Sequence, residues 1–177
     1  IASSLDVDAV ITSCASCSSF LKDYGKLLAG DPEWAEKAKA FSGKVRDITE
    51  FLADAVPAAE MSAINKKVTY HDPCHLGRYQ KIKSQPRTLL KSIPGVEFVE
   101  MAESDMCCGA AGTYGFKNYD LSMKVLDRKM EMVKKTGADI LATECPGCII
   151  QLRHGARRAG SGVRVVHVSE LIREAFK

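Results

Sequence analysis

Residues 139–148 read Asp-Ile-Leu-Ala-Thr-Glu-Cys-Pro-Gly-Cys, a short apolar run followed at once by a cysteine pair. The run Asp139–Thr143 predicts a buried β-strand, and Pro146 favours the first turn of a helix that continues through Ile149 and Leu152. A strand that leads directly into a helix is typical of parallel sheets with helices on their faces. This segment therefore predicts an α/β fold with two cysteines at a strand-to-helix turn.

The same alternation of short strands and helices continues along the rest of the chain. Apolar, β-branched runs predict strands at 9–12, 44–48, 68–71, 96–99, 139–143 and 163–168. Helical patterns follow most of them, and the longest spans 118–135, with Gly137 as its cap. Asp31-Pro32 predicts a further helix start, because Asp caps helices and Pro suits the first turn. We expect parallel sheets flanked by helices.

Two pairs of segments resemble each other in sequence. They are Val10–Cys17 with Leu141–Cys148, and Lys44–Leu52 with Arg164–Ile172. Such self-similarity indicates two related units. We expect residues 1–58 to be the back half of a first unit, residues 59–66 a linker, and residues 67–177 a complete second unit.

The composition excludes some classes of protein. With 46% hydrophobic and 27% charged residues, the 177-residue chain is typical of water-soluble globular proteins. No apolar run approaches the roughly 18 residues of a membrane-spanning helix, and no signal peptide is recognisable. A net charge of +3 is too small to indicate nucleic-acid binding. We expect a cytoplasmic location, with peripheral attachment at the inner face of the membrane left open.

The chain has seven cysteines, an odd number that does not suit a closed set of disulfides. In a reducing cytosol, clustered thiols usually serve metal or redox chemistry. Five of them form three clusters, each after a predicted strand: Cys74, then Cys107 and Cys108, then Cys145 and Cys148. The carboxyl ends of parallel strands share one edge of a sheet. We therefore expect these five thiols to converge on one soft-metal site.

The residues around the cysteines suit this chemistry. Cys145 precedes the helix start at Pro146, and a helix N-terminus lowers the pKa of a thiol. Gly109, Gly112 and Gly115 give the central loop a bare backbone, whose N–H groups can approach sulfur closely. An ordinary surface turn is the alternative explanation of these glycines.

Several kinds of thiol site remain open on spacing alone. A structural zinc site or a cubane iron–sulfur cluster would use four of the five thiols. A thioredoxin-like exchange centre at Cys145 and Cys148 would leave Cys107 and Cys108 without a role. Five clustered thiols favour a larger or less regular metal group.

Other polar residues near the cysteines have two interpretations each. His71 and His75 flank Cys74 and could tune or replace a ligand, although histidines are more often hydrogen-bonded near a strand end. A basic patch after Cys148 is either a solvated helix face or a docking surface for a partner; its members are Arg153, His154, Arg157 and Arg158. Met101 and Met106 are expected to serve packing.

The pattern of Cys74, then Cys107-Cys108-Gly109, then Cys145-Pro146-Gly147-Cys148 resembles the cysteine-rich CCG domain. Proteins with this domain include one of the subunits of heterodisulfide reductase and the iron–sulfur subunits of glycolate- and lactate-oxidising enzymes. The surroundings, such as His71–His75 and Asp47–Leu52, look most similar to the glycolate oxidase iron–sulfur subunit. Because such proteins usually carry two of these units behind a ferredoxin-like domain, the chain looks like a C-terminal fragment.

The resemblance implies a 4Fe–4S cluster, of a non-cubane type, on Cys74, Cys107, Cys108, Cys145 and Cys148, with Gly109 beside it. Cys14 and Cys17 would be the remnant of a first site. The implied role is electron transfer from a flavin-containing subunit that oxidises a 2-hydroxy acid towards an acceptor such as a quinone, rather than substrate oxidation itself. A heterodisulfide reductase-like, disulfide-cleaving cluster and a structural zinc domain for subunit assembly are the alternatives.

Overall fold

The computed structural model describes residues 7–55 and 60–176, and in them short strands alternate with helices. The strands are β1 Val10–Thr12, β2 Val45–Asp47, β3 Lys66–Tyr70, β4 Val96–Phe98, β5 Ile140–Thr143 and β6 Arg164–His167. The helices are α1 Ala15–Lys22, α2 Tyr24–Leu27, α3 Ala35–Lys44, α4 Ile48–Ala55, α5 Ser84–Ser92, α6 Thr113–Lys117, α7 Tyr119–Thr136, α8 Pro146–Arg158 and α9 Val168–Ala175, with a π-helix at His75–Gln80.

The strands form two parallel sheets. The larger sheet has the strand order β4-β3-β5-β6, and the smaller one pairs β1 with β2. All four residues of β5 are buried, as expected for a central strand that is covered on both faces. The prediction of an α/β fold with parallel sheets flanked by helices is confirmed.

Apolar side chains on the two faces of the larger sheet form two cores. Val68, Tyr70 and Ile140 pack on one face with Leu90 of α5 and Leu171 of α9. The opposite face is covered by α7 and α8; its core contains Leu126, Met130, Leu141, Leu152 and Val165. Neighbouring residues of β5 therefore point to opposite cores, which is the alternation that a strand imposes.

The two-stranded sheet has the same register as the β5–β6 pair. Val10 lies opposite Val45, and Thr12 lies opposite Asp47. The corresponding residues of the other two repeat segments are paired in the same way: Leu141 lies opposite Val165, and Thr143 lies opposite His167. The registers of the two strand pairs are thus equal, while the division into two related units stays a prediction. The predicted linker begins at residue 59, outside the described residues, and ends at Lys66, the first residue of β3.

Two helices near the cysteines were not predicted from the sequence. The π-helix starts directly after Cys74, where the N–H groups of Leu76 and Gly77 both donate to the Pro73 carbonyl. The second is α6, a five-residue helix after the double cysteine. The Asp31 carboxylate does accept from the N–H groups of Glu33 and Trp34, but regular helix begins only at Ala35.

The longest helix, α7, is 18 residues long and ends at Gly137, whose φ of +62° closes it as predicted. Lys134 and Lys135 occupy its last turn, where positive charge suits the helix dipole. Within the described residues, none of the helices combines the length and the apolar content needed to cross a bilayer.

Candidate metal centre

Turns after three neighbouring strands meet at one edge of the larger sheet. The His71 N–H, directly after β3, donates to the Ala142 carbonyl of β5. The Asp72 N–H donates to the Ser104 carbonyl at 3.1 Å, which joins the turn before Cys74 to the loop after β4. The cysteine-bearing turns are therefore bonded to one another through the backbone.

The five predicted ligand thiols lie together at this edge. The Sγ atoms of Cys108 and Cys148 lie within 4.8 Å of each other, and interactions with Cys107 and Cys148 shift the pKa of Cys108, as interaction with Cys148 shifts that of Cys145. Cys74 is close enough to Cys107 for the two thiols to interact electrostatically. All seven cysteines are free thiols. Electrostatic interactions thus relate five sulfurs from three distant parts of the chain, and those of Cys108 and Cys148 lie closest to a common ligand position.

Contacts among these thiols favour ionisation at two of them. Hydrogen bonds from Cys107 and Cys148 hold the pKa of Cys108 well below its usual value, although burial opposes this. The same bonds raise the pKa of Cys107 and of Cys148. A hydrogen bond from Cys148, assisted by the backbone N–H groups of Cys148 and Gly147, lowers the pKa of Cys145 to about 5. Thiolates, rather than thiols, bind metals.

The backbone of Gly109 is tightly enclosed beside the double cysteine. Its φ is +91°, and a Cβ atom there would lie 2.5 Å from the Ser122 carbonyl oxygen. Its N–H donates to Cys107 Sγ at 3.3 Å, and its carbonyl accepts from the Ser122 hydroxyl at 2.8 Å. Only glycine fits this position, so the bare backbone that was predicted at Gly109 brings an N–H group to sulfur. Gly112, by contrast, has open space around it.

Arg87 of α5 fixes the loops on both sides of the site, and sequence reasoning missed it. Its guanidinium donates to both carboxylate oxygens of Asp72 at 2.8 and 2.7 Å, and to both of Glu100 at 2.8 and 2.6 Å. It also donates to the Ser104 hydroxyl at 3.2 Å. Burial pushes the pKa of Asp72 upward, but the bonds from Arg87 and Ser104 outweigh it and lower the pKa. Nothing in the local sequence distinguishes this arginine from a surface residue.

Lys129 of α7 is a second residue that sequence reasoning missed. It is fully buried, and its ammonium group donates to the carbonyls of Glu103 and Ser104 at 2.6 and 3.2 Å. Burial lowers the pKa of Lys129 to about 8, although the nearby Cys108 thiolate opposes the shift. One signal could have found it, because Lys129 follows Leu126 by three residues on the apolar face of the helix.

Cys14 and Cys17, expected in a separate remnant site, lie beside the second unit. The Ala15 N–H donates to the Glu144 carbonyl at 3.1 Å, and the Ser16 hydroxyl is 3.7 Å from Cys145 Sγ. Burial, together with a hydrogen bond to Cys17, raises the pKa of Cys14 to about 11, and nearby Cys145 contributes to the shift. The N-terminus of α1 therefore adjoins that of α8.

Two buried carboxyl groups, those of Asp47 and Glu144, lie between the two sheets near Cys145. The Thr49 hydroxyl is 2.8 Å from Asp47 Oδ1 and 2.8 Å from Glu144 Oε2, and the Tyr70 hydroxyl donates to Glu144 Oε1 at 3.2 Å. Burial, and then the charge of Asp47, raise the pKa of Glu144 well above its usual value. A hydroxyl has one proton to donate, so a protonated Glu144 donates to Thr49, which donates to Asp47.

A matching contact lies on the other side of the interface. His167 Nε2 donates to the Ser13 carbonyl at 3.0 Å, while its Nδ1 accepts from the Ser169 N–H at 3.1 Å. In the sequence alignment Ser13 corresponds to Glu144, and His167 to Asp47. Positions that correspond in the two sequence repeats thus contact each other between the two sheets.

The remaining candidates are placed as follows. His75 stacks on Tyr79, with ring centroids 4.7 Å apart, and Met101 is buried in the α7–α8 core, as expected of a packing residue. In the predicted basic patch, Arg158 pairs with Asp127, and the Arg153 guanidinium donates to the Val165 carbonyl. His71 is buried next to Cys108 and Cys148.

Known proteins are similar to most of the chain. The model of the cysteine-rich CCG domain matches residues 68–153. The chain is 46% identical, over 97% of its length, to the probable glycolate oxidase iron-sulfur subunit of Bacillus subtilis (strain 168), and spans 39% of that protein. It is 38% identical, over 96% of its length, to one of the subunits of the fumarate reductase (CoM/CoB) of Methanothermobacter marburgensis, and spans 32% of it.

The chain spans a larger share of a third, shorter relative. The chain is 34% identical, over 93% of its length, to lactate utilization protein A of Lysinibacillus sphaericus (strain C3-41), and spans 73% of that protein. The similarity includes the segment that precedes the matched domain, so it extends beyond the cysteine motif. On these similarities the chain belongs to the family of cysteine-rich CCG domain proteins.

Proposed function

We propose that this chain is part of an iron–sulfur electron-transfer subunit, in which Cys74, Cys107, Cys108, Cys145 and Cys148 hold a non-cubane 4Fe–4S cluster. The observation that carries the proposal is the approach of Cys108 Sγ to within 4.8 Å of Cys148 Sγ, with the Gly109 N–H directed at Cys107 Sγ beside them. Similarity to the probable glycolate oxidase iron-sulfur subunit of Bacillus subtilis supports the proposal.

The donor set fits such a cluster. Thiolates are the usual ligands of iron–sulfur clusters, and a regular cubane needs only four of them. Five cysteines in three clusters that follow neighbouring strands, with Cys108 Sγ and Cys148 Sγ within 4.8 Å of each other, suit a less regular arrangement. A bound cluster supplies a reversible one-electron carrier.

The protein's own groups would hold and shield that carrier. Cys108 and Cys148 are buried, which keeps water from that side of the site. The Gly109 N–H directed at Cys107 provides a hydrogen bond to sulfur, and such bonds help to set a cluster's potential. The ammonium group of Lys129 places a positive charge behind Cys108.

The substrate side of the proposal comes from the relatives. We propose that electrons arrive from a flavin-containing subunit that oxidises a 2-hydroxy acid such as glycolate or lactate, and leave towards a quinone-type acceptor. The second candidate is a disulfide-cleaving cluster of the heterodisulfide reductase type. It is favoured by the 38% identity to a CoM/CoB enzyme subunit.

The test is metal and spectroscopic analysis of protein made and reconstituted without oxygen. We expect iron and acid-labile sulfide in similar amounts, together with an electron paramagnetic resonance signal that changes on reduction. Colourless protein without iron would overturn the proposal, and bound zinc without a redox signal would replace it with a structural zinc domain. Disulfide cleavage by reduced protein, measured with small disulfides, would favour the second candidate.

A further inference from the structure

A histidine lies among the cysteine sulfurs. One ring nitrogen of His71 and the Sγ atoms of Cys108 and Cys148 all lie within 4.8 Å of one another. The three residues are 1%, 1% and 8% exposed, respectively. Among the residues that the structure describes, no other three His, Cys, Asp or Glu side chains bring their ligand atoms this close together.

One nitrogen atom of the His71 ring has no hydrogen-bond partner. Its Nδ1 is buried and has no hydrogen-bond partner, whereas nearly all buried polar groups in proteins are paired. The His71 backbone N–H extends the ladder between β3 and β5, which fixes the residue at the end of the strand, and the ring itself is buried. The ring is thus buried, brings one of its nitrogens close to two thiols and leaves its Nδ1 without a partner, which is consistent with a ligand position.

The donor types select a class of ion. Two cysteine sulfurs and one imidazole suit borderline or soft divalent cations such as Fe²⁺, Co²⁺ and Zn²⁺. Cys107, which directly precedes Cys108, or Cys145, three residues before Cys148, can complete four-fold coordination.

We propose that His71, Cys108 and Cys148 form a preorganised site for one thiophilic divalent cation, and that it receives the first ferrous ion when the cluster is built. The loading role rests on the proposed function. His71 is then a ligand that the five-cysteine pattern does not include.

Cobalt binding to the reduced, metal-free chain tests the site directly. Co²⁺ reports thiolate and imidazole ligands through its absorption spectrum. We expect the wild-type chain to bind one Co²⁺ tightly, and His71→Gln to weaken binding at least about tenfold with a shifted spectrum. His75→Gln is the matched control, because His75 also flanks Cys74 but stacks on Tyr79. An unchanged affinity and spectrum in His71→Gln would overturn the proposal.

A second measurement tests the site even if the His71→Gln variant does not fold. X-ray absorption of the wild-type cobalt complex counts the nitrogen and sulfur ligands without any substitution. One nitrogen and at least two sulfurs are expected, and a shell of sulfur alone would contradict the inference.

Iron uptake separates this proposal from the proposed function. We expect anaerobic uptake of Fe²⁺ to be slower in His71→Gln than in His75→Gln. Equal rates, with a complete cluster in both, would overturn the loading role and leave the electron-transfer function standing. Cobalt bound through His71, with no cluster formed under any condition, would support the cation site and overturn the function.

Discussion

At the scale of single residues, Lys129 and Gly109 hold the cysteine loop in place by different means. Lys129 supplies a buried charge that donates to the Glu103 and Ser104 carbonyls. Gly109 supplies a backbone conformation that other residues rarely adopt, at a point where the loop touches α7. Each makes its own measurable prediction.

Lys129 makes stability depend on pH. Its pKa is about 8 in the folded chain, against an ordinary value of 10.5, so the unfolded state binds more protons between these pH values. The free energy of unfolding of the metal-free protein should therefore rise with pH from about 8 to 10.5, by up to about 3 kcal/mol. Urea unfolding under reducing conditions should show that Lys129→Met lacks this rise. The exposed Lys124→Met should keep it, and equal pH slopes in all three proteins would contradict the prediction.

Gly109→Ala should destabilise the chain strongly. The added Cβ meets the Ser122 carbonyl at 2.5 Å, and the φ of +91° is strained for alanine. We expect a loss of about 3 kcal/mol or more in urea unfolding. Gly137→Ala, at a similar positive φ with open space around it, should cost only about 1 kcal/mol. The explanation fails if both variants lose the same amount.

At the scale of elements, α5 joins two turns of the site through one side chain. Arg87 is bonded at once to Asp72, near the end of β3, and to Glu100 and Ser104, after β4. Asp72 is only 3% exposed, so it depends on this partner for its charge.

Arg87→Met should cost about 3–5 kcal/mol in the free energy of unfolding, because it leaves a buried carboxylate without its cation. Arg128→Met is the matched control, since Arg128 pairs with Glu103 at the surface. We expect that control to cost less than about 1 kcal/mol. Comparable losses in the two variants, measured by chemical denaturation, would show that Arg87 does not fix the loops.

Short-range sequence patterns explain why some elements could be predicted and others not. The apolar runs at β3 and β5, and Pro146 at the start of α8, are local signals that indicated the sheet edge and the position of the cysteines. The π-helix begins where the Pro73 carbonyl accepts hydrogen bonds from two N–H groups. The contacts of Arg87 are made to loops that lie elsewhere in the sequence. Such tertiary contacts produce no periodic pattern in the sequence. The spacing of the cysteines could therefore predict that their thiols converge, but not which groups orient them.

At the scale of the whole molecule, the two-stranded sheet is joined to the four-stranded sheet beside the candidate metal centre. Thr49 joins Asp47 of β2 to Glu144, which follows β5, and the Ser13 carbonyl accepts from His167. These contacts place the start of α1, with Cys14, near Cys145. The position of Cys145 therefore depends on both sheets.

Thr49→Val should weaken this junction. It removes the hydroxyl between two buried carboxyl groups, and we expect a loss of about 1–3 kcal/mol in the free energy of unfolding. Hydrogen exchange should also become faster in β1 and β2. Thr69→Val is the matched control, because Thr69 is equally buried but its hydroxyl has no partner. That control should be nearly neutral or stabilising, and a Thr49→Val variant as stable as Thr69→Val would contradict the role of Thr49.

The most direct test of the central claim is the iron and sulfide content of seven single Cys→Ser variants, each reconstituted without oxygen. We predict that the variants at Cys74, Cys107, Cys108, Cys145 and Cys148 lose most of both elements. Cys14→Ser and Cys17→Ser should match the wild-type chain. Wild-type iron and sulfide in the five variants, or losses confined to Cys14→Ser and Cys17→Ser, would contradict a cluster held at this edge of the sheet.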